Sequence, residues 1–337
     1  MPTFFRAQAQ SSRGLAVAVA LLLVYVVWGT TYFALGIALE SMPPLLMNAS
    51  RFLCAGVVML LVALVQGQAL PTAAQWRHSA LVGGLMVFLA MNCIGFAQKM
   101  GIGSGLMATV VTTMPMWLAL WTRWGGERVP ATSWVGLALG VAGALLLALE
   151  GDFSASGLGA LLAFGAPLCW SIGSYASRKL SLPAPAMASG AQWLTGGAMG
   201  MVVALMVEPV GALADVSARS WLAWVYLLGL GTLVALNAYL WLLQNTSAAL
   251  AGSYSFVNPA VALLVGVALG GERLTGWVYA ALPLIGAALA FLLYGPQLLQ
   301  RVQSLRVRRP AGVCLPAAPS PESTPCSTNS SPGPRPT

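Results

Sequence analysis

The chain has 337 residues, of which 58% are hydrophobic and 7% are charged, and it carries a formal net charge of +8. A soluble domain has about 25% charged residues, so this composition excludes a water-surrounded globule and points to a lipid bilayer. The positive charge does not indicate nucleic acid, because the basic residues are scattered at the ends of apolar runs and form no patch with interleaved aromatics.

Uncharged runs of about 20 residues suffice to cross a hydrocarbon core as helix. Divided at charged, Pro-rich or Gly-rich breaks, the sequence predicts ten such runs: 15–38, 46–66, 79–98, 105–124, 131–149, 157–177, 186–207, 220–243, 248–270 and 276–294. The first, Gly14 to Leu39, is uncharged over 26 residues. That is longer than the roughly 7–15 residues of a signal-peptide core, and it is expected to stay attached as a span. The expected fold is an all-α polytopic membrane protein. Ten spans divide into two halves of five, 15–149 and 157–294, and an odd number per half turns the second half upside down, the inverted-repeat plan of many secondary transporters.

Charge supports the division. With the N-terminus in the cytoplasm, twelve of the sixteen basic residues fall on the cytoplasmic side, and Arg51, Lys99, Arg219 and Arg273 on the other, as the positive-inside bias requires. Residues 296–337 turn basic and then rich in Pro, Ser and Thr, which reads as a disordered cytoplasmic tail. Its basic start either binds anionic lipid or holds the last helix in place.

A duplication is written into the two halves. Ser104–Val129 contains Pro115 and ends on Gly125-Gly126-Glu127-Arg128, and Ala248–Thr275 repeats that order with Pro259 and Gly270-Gly271-Glu272-Arg273. The two prolines are 144 residues apart and the two glutamates 145. Ala49–Gly56 can be laid on Gly190–Gly197 with Leu53/Leu194 and Gly56/Gly197 identical, Trp28 falls near Trp170, and Asn92 near Asn237. A period this long exceeds the roughly 20–50 residues of solenoid units and marks two halves of one domain.

Enzyme chemistry is hard to place here. There is no Gly-Lys dipeptide and so no phosphate loop. The only histidine, His78, sits in an expected cytoplasmic loop, which removes HExxH-type zinc sites and speaks against a Ser-His protease. The five cysteines have no metal-ligand spacing. No catalytic residue, cofactor or metal site is expected. Arg51, Lys99 and Arg123 lie near span ends, where snorkelling to the interface is the first reading.

What remains are uncharged polar and aromatic residues at helical spacing: Trp28 and Tyr32, Trp170 with Ser174, Ser171 with Tyr175, Asn92, Asn237, and Tyr254 with Asn258. Each is either glue between helices or, because the halves would meet at a central axis, part of a binding cavity. The candidate binding set is Trp28, Tyr32, Asn92, Trp170, Tyr175, Asn237, Tyr254 and Asn258, forming an aromatic chamber with a few amides and no fixed charge. Pro115 and Pro259, expected inside spans four and nine, remove a backbone donor each and serve either as hinges or as simple bends. Lacking a carboxylate in mid-membrane, ion coupling would fall to Glu40 or Glu150 near span ends.

The ten-span plan, the opening VYVVWGTTYFALGIAL with PPLLMNASRFLCAG after it, and SYSFVNPAVALLVGVALGGERLT resemble the EamA-domain proteins of the drug/metabolite transporter superfamily, bacterial inner-membrane exporters in particular. The resemblance covers residues 15 to 295. It implies a multi-pass transporter with both termini cytoplasmic that exports small metabolites or drugs by alternating access. The expected partners are a small-molecule solute and the bilayer, with a homodimer as a further candidate, since the sequence does not set the oligomeric state. Uptake on the same fold, or a membrane enzyme, are the alternatives.

Overall fold

The computed structural model describes residues 2–102, 104–148 and 157–270, together with 280–281, 283–288, 290–292, 294–295 and 297. The expected coupling residue Glu150, the Gly271-Glu272-Arg273 end of the second repeat and the tail lie outside the described residues.

Among the described residues every regular element is helical. Helix α1 (Pro2–Leu39) is followed by α2 (Pro44–Val65), which starts with Pro44 in its first turn, where the missing N–H costs nothing. A capping box of Thr72 and Gln75 starts α3 (Ala73–Gly83). This helix runs through a π-helical stretch, Gly84–Ala90, into α4 (Met91–Lys99). Next come α5 (Ser104–Val111), α6 (Met114–Trp124) and α7 (Ala131–Ala148). The second half has α8 (Gly157–Lys179) and α9 (Pro185–Val207), again with a proline in its first turn. A second π-helical stretch, Leu227–Leu236, joins α10 (Ala218–Tyr226) to α11 (Asn237–Asn245). The short α12 (Ala248–Gly252) and α13 (Tyr254–Gly270) follow.

Six of these stretches are long and apolar enough to cross a membrane: Gly14–Leu39, Pro44–Val65, Ala73–Lys99, Gly157–Lys179, Pro185–Val207 and Ala218–Asn245. The expected span 105–124 is two helices, broken at Thr112-Thr113, and 248–270 is likewise broken at Ser253. Pro115 therefore opens α6 instead of lying inside a helix, whereas Pro259 does lie inside α13. Polarity is inverted relative to a soluble protein: Leu22, Val65, Phe164 and Leu222 are exposed while Asn48, Arg51, Asn92, Ser174, Gln192 and Asn258 are buried, as a lipid-facing bundle requires.

Helices α2 and α9 pack along their whole lengths, antiparallel, through glycines. A Cβ placed on Gly56 would stand 2.6 Å from the Leu194 nitrogen, and one on Gly197 would stand 2.9 Å from the Leu53 nitrogen. Farther along the seam, Gly190 approaches Leu60 and Gly200 approaches Ala49. The contacts are reciprocal: Gly56 meets Leu194, and their repeat counterparts Gly197 and Leu53 meet each other, which is the signature of a local twofold. The helix ends obey the same rule. Glu208, just past α9, accepts hydrogen bonds from Leu45 N and Leu46 N of α2 at 2.9 and 2.8 Å, and Gln68, just past α2, accepts one from Met187 N of α9 at 3.1 Å. A carboxylate against the donors of a helix N-terminus is a favourable charge-assisted contact.

Added side-chain bulk at the seam should be felt directly. Gly56→Ala and Gly197→Ala are expected to lower stability by about 1–3 kcal/mol each through overpacking. Gly36→Ala, where a Cβ meets nothing within 4 Å, should be neutral or stabilising by up to about 1 kcal/mol. Thermal unfolding of the purified variants in detergent checks this, and equal losses at all three positions would contradict the seam.

Candidate functional site

Four aromatic rings from four helices meet at the centre of the bundle. Trp28 of α1 packs at right angles to Trp170 of α8 (centroids 5.6 Å apart), edge-on to Tyr254 of α13 (4.7 Å) and against Tyr239 of α11 (5.2 Å). Tyr239 also touches Trp170 and Tyr254, at 5.9 and 5.3 Å. Edge-to-face pairs of this kind are worth about 0.5–1.5 kcal/mol beyond their buried area. Two of the four polar ends are held, while Trp170 Nε1 is buried without a partner. Trp28 Nε1 donates to the Gly231 carbonyl at 3.0 Å, and the Tyr239 hydroxyl shares a 2.8 Å hydrogen bond with Ser174 Oγ.

Beside this cluster lies a cavity of about 80 Å³. Trp28, Tyr32, Trp170 and Tyr254 form its aromatic wall, Phe52, Met91 and Ile94 its aliphatic and aromatic remainder, and Arg51, Thr232 and Asn258 its polar part. Of the eight residues expected at the site, five line this cavity: Trp28, Tyr32, Trp170, Tyr254 and Asn258.

The other three lie elsewhere. Asn92 is buried behind the cavity wall, where its Oδ1 accepts from Asn48 Nδ2 at 3.1 Å and its Nδ2 donates to the Phe88 carbonyl at 2.7 Å. Asn237 repeats this arrangement in the second half: Oδ1 accepts from Ser189 Oγ at 2.7 Å and Nδ2 donates to the Leu233 carbonyl at 2.9 Å. Both carbonyls belong to π-helical stretches, and each lies four residues before the asparagine that donates to it. Asn237 lines a separate small cleft with Ser189 and Gln192. Tyr175 sits at the far end of α8, its hydroxyl directly below Gly125, where a Cβ would collide with it.

Two features of the site, one in the ring cluster and one in the cavity, were not expected from the sequence. Tyr239 completes the ring cluster, and Arg51 does not snorkel: it is 5% exposed and lines the cavity. The expectation of a chamber without fixed charge is therefore corrected. Lys99 does reach a helix end, donating to the Leu39 carbonyl at 2.9 Å. Glu40 is exposed, pairs with Arg219 at 3.5 Å and does not line the cavity. Outside the bundle, Glu127 pairs with Lys179 at 2.6 Å, and the hydrogen bond from Lys179 holds its carboxyl below the usual carboxylate range. Among the described residues no three His, Cys, Asp or Glu side chains gather as a metal site.

A helical membrane bundle with two like halves and an aromatic central cavity is the architecture of a transporter. The model of the EamA-like transporter family matches residues 15–149 and again 157–294. The chain belongs to this family, within the drug/metabolite transporter superfamily. It is 36% identical over 280 residues to the uncharacterized inner membrane transporter YedA of Escherichia coli (strain K12), spanning 83% of this chain and 91% of that one. It is also 28% identical over 306 residues to the probable amino-acid metabolite efflux pump of Salmonella typhimurium (strain LT2), spanning 87% and 96%. A protein known by its crystal structure superposes with a TM-score of 0.68 at 25% identity, over 86% of this chain and 99% of that one.

The Tyr239 hydroxyl offers a local check. Tyr239→Phe should cost about 1 kcal/mol of stability by removing one buried hydrogen bond. A double-mutant cycle with Ser174→Ala, read by thermal unfolding, should show that the second substitution adds little to the first; strictly additive losses would mean the two groups act separately.

Proposed function

We propose that the chain is a secondary exporter of small organic solutes, amino-acid-like or amphiphilic, in the cytoplasmic membrane, working by alternating access. The observation behind this reading is the cavity at the meeting of the two halves, walled by Trp28 from the first and Trp170 from the second. In this reading residues 15–149 and 157–294 are inverted repeats of five spans each, both termini are cytoplasmic, and the antiparallel α2/α9 seam is where the halves are joined. The seam supports inversion because equivalent helices run in opposite directions.

The cavity of about 80 Å³ is well below the roughly 300–1,000 Å³ that encloses a drug-sized molecule. A solute is therefore accommodated when the halves tilt, with the breaks before Pro115 and at Ser253 and the Pro259 position as hinges. Trp28, Tyr32, Trp170, Tyr254 and Asn258 form the binding surface. The carboxylates to test for ion coupling are Glu40 and Glu150, by Gln replacement under an imposed pH gradient.

Inside-out vesicles carrying the full chain should accumulate labelled solute against a gradient while right-side-out vesicles extrude it; accumulation only in the right-side-out orientation would reverse the direction proposed. Tyr254→Leu is expected to raise the half-saturation concentration about 2- to 10-fold, the worth of one well-stacked ring, with folded protein still present in the membrane. Loss of the protein with transport per molecule intact would make the ring helix glue instead. Reporter fusions after Leu39 and after Asp152 should both read as periplasmic, and a cytoplasmic signal at the second would break the five-plus-five plan.

A further inference from the structure

Among the described residues Arg51 is the charged side chain that lines the central cavity, and none of their carboxylates pairs with it. It projects from α2 two turns past Pro44 and is 5% exposed. Among the described residues the ion pairs are Lys179–Glu127 and Arg219–Glu40, so no carboxylate meets it. A guanidinium has five donors in a planar fork. Nη2 donates to Asn48 Oδ1 at 3.0 Å and lies 3.7 Å from Met91 Sδ, whereas Nε is buried with no acceptor. The group stands 4.5 Å from the Phe52 ring centroid, a contact that softens the burial of a cation but does not supply an anion.

An uncompensated buried charge is strongly unfavourable. In this protein it is also held in place from behind: Arg51 donates to Asn48, Asn48 to Asn92, and Asn92 to the Phe88 carbonyl. That relay fixes the fork while leaving donors unused. On the same cavity two further buried atoms have no partner: Trp170 Nε1, a donor, and Asn258 Oδ1, an acceptor in a side chain 1% exposed. The repeat counterparts of Asn48, Arg51 and Asn92 are Ser189, Gln192 and Asn237, which form the small cleft of the second half. The same framework is thus built twice and charged once.

We infer that Arg51 is the anion-recognising group of the cavity and that the transported solute carries a carboxylate, with its apolar body against the ring wall and any ammonium or hydroxyl donating to Asn258 Oδ1. A guanidinium fork matches a carboxylate bidentately, and the pairing would supply the counter-charge that the described residues do not provide. The solute class is therefore amphiphilic monocarboxylates, zwitterionic or anionic. Amphiphilic cations, which the same rings would otherwise welcome, are disfavoured by the fixed positive charge. This deepens the export reading above and rests on it.

The test is counterflow in proteoliposomes of the full chain with four labelled probes on one ring: phenylalanine, N-acetylphenylalanine, phenylalaninamide and N-acetylphenylalaninamide. The first two carry a carboxylate and should exchange at least about tenfold faster than the amides. Arg51→Gln should lower exchange of the carboxylates about 10- to 100-fold, the usual worth of hydrogen bonds to a charged group, and erase the preference, while Arg51→Lys should fall between. Equal exchange of acids and amides by the wild-type chain, which needs no variant to fold, would overturn the carboxylate assignment and leave the export reading standing. A preference that survives Arg51→Gln would overturn the role of Arg51. Exchange of none of the four would overturn the export reading for such solutes, and the assignment with it.

Discussion

The α2/α9 seam is the constraint on which the rest of the molecule depends. In a bilayer there is no hydrophobic drive to bring helices together, so close backbone approach through small residues and satisfied polar groups must do it. Gly56, Gly190 and Gly197 supply the approach, and Glu208 and Gln68 close the ends by each capping the start of the other helix. Because the partners are counterparts of each other, the contact is made twice over, once in each sense. One packing solution therefore joins helices of the two halves and sets α2 and α9 antiparallel.

From that seam the centre follows. Both members of the Asn92/Asn237 pair stand one residue or two beyond a π-helical stretch, and each is tied to the seam helices through Asn48 or Ser189. Each asparagine donates to a carbonyl of that stretch four residues back, so its amide is satisfied inside the bundle, as surroundings without water require. The rings of Trp28, Trp170, Tyr239 and Tyr254 then close over the axis. The helix breaks at Thr112-Thr113 and Ser253 are flanked by Val111, Met114 and Tyr254, which line the chamber.

Much of this was legible in the sequence and some was not, for physical reasons. Six of the ten expected runs are helices long and apolar enough to cross a membrane, and these were readable because bilayer thickness sets their length. Trp28, Trp170, Tyr254 and Asn258 stood out as polar or aromatic residues in otherwise aliphatic helices. Tyr239 did not, because it lies on a different face from Asn237 and Trp241, and a helix that is apolar all round does not reveal which face meets protein and which meets lipid. Arg51 was misread because distance from the end of an apolar run stood in for burial, whereas burial depends on the helices packed around it. The asparagines were read as cavity residues since nothing in a linear sequence announces a π-helical turn. Pro115 was placed within a helix because the break just before it, at two threonines, carries no glycine or proline signal of its own.

The orientation of the seam is the claim to test most directly. In a chain whose five native cysteines are replaced, single cysteines at Gln66 and Val210, exposed positions just past the far ends of α2 and α9, can be labelled with a membrane-impermeant maleimide in intact cells and in inside-out vesicles. An antiparallel pair that spans the bilayer puts the two on opposite faces: Val210→Cys reacts in cells and Gln66→Cys in inverted vesicles. Labelling of both from the same side would contradict the account.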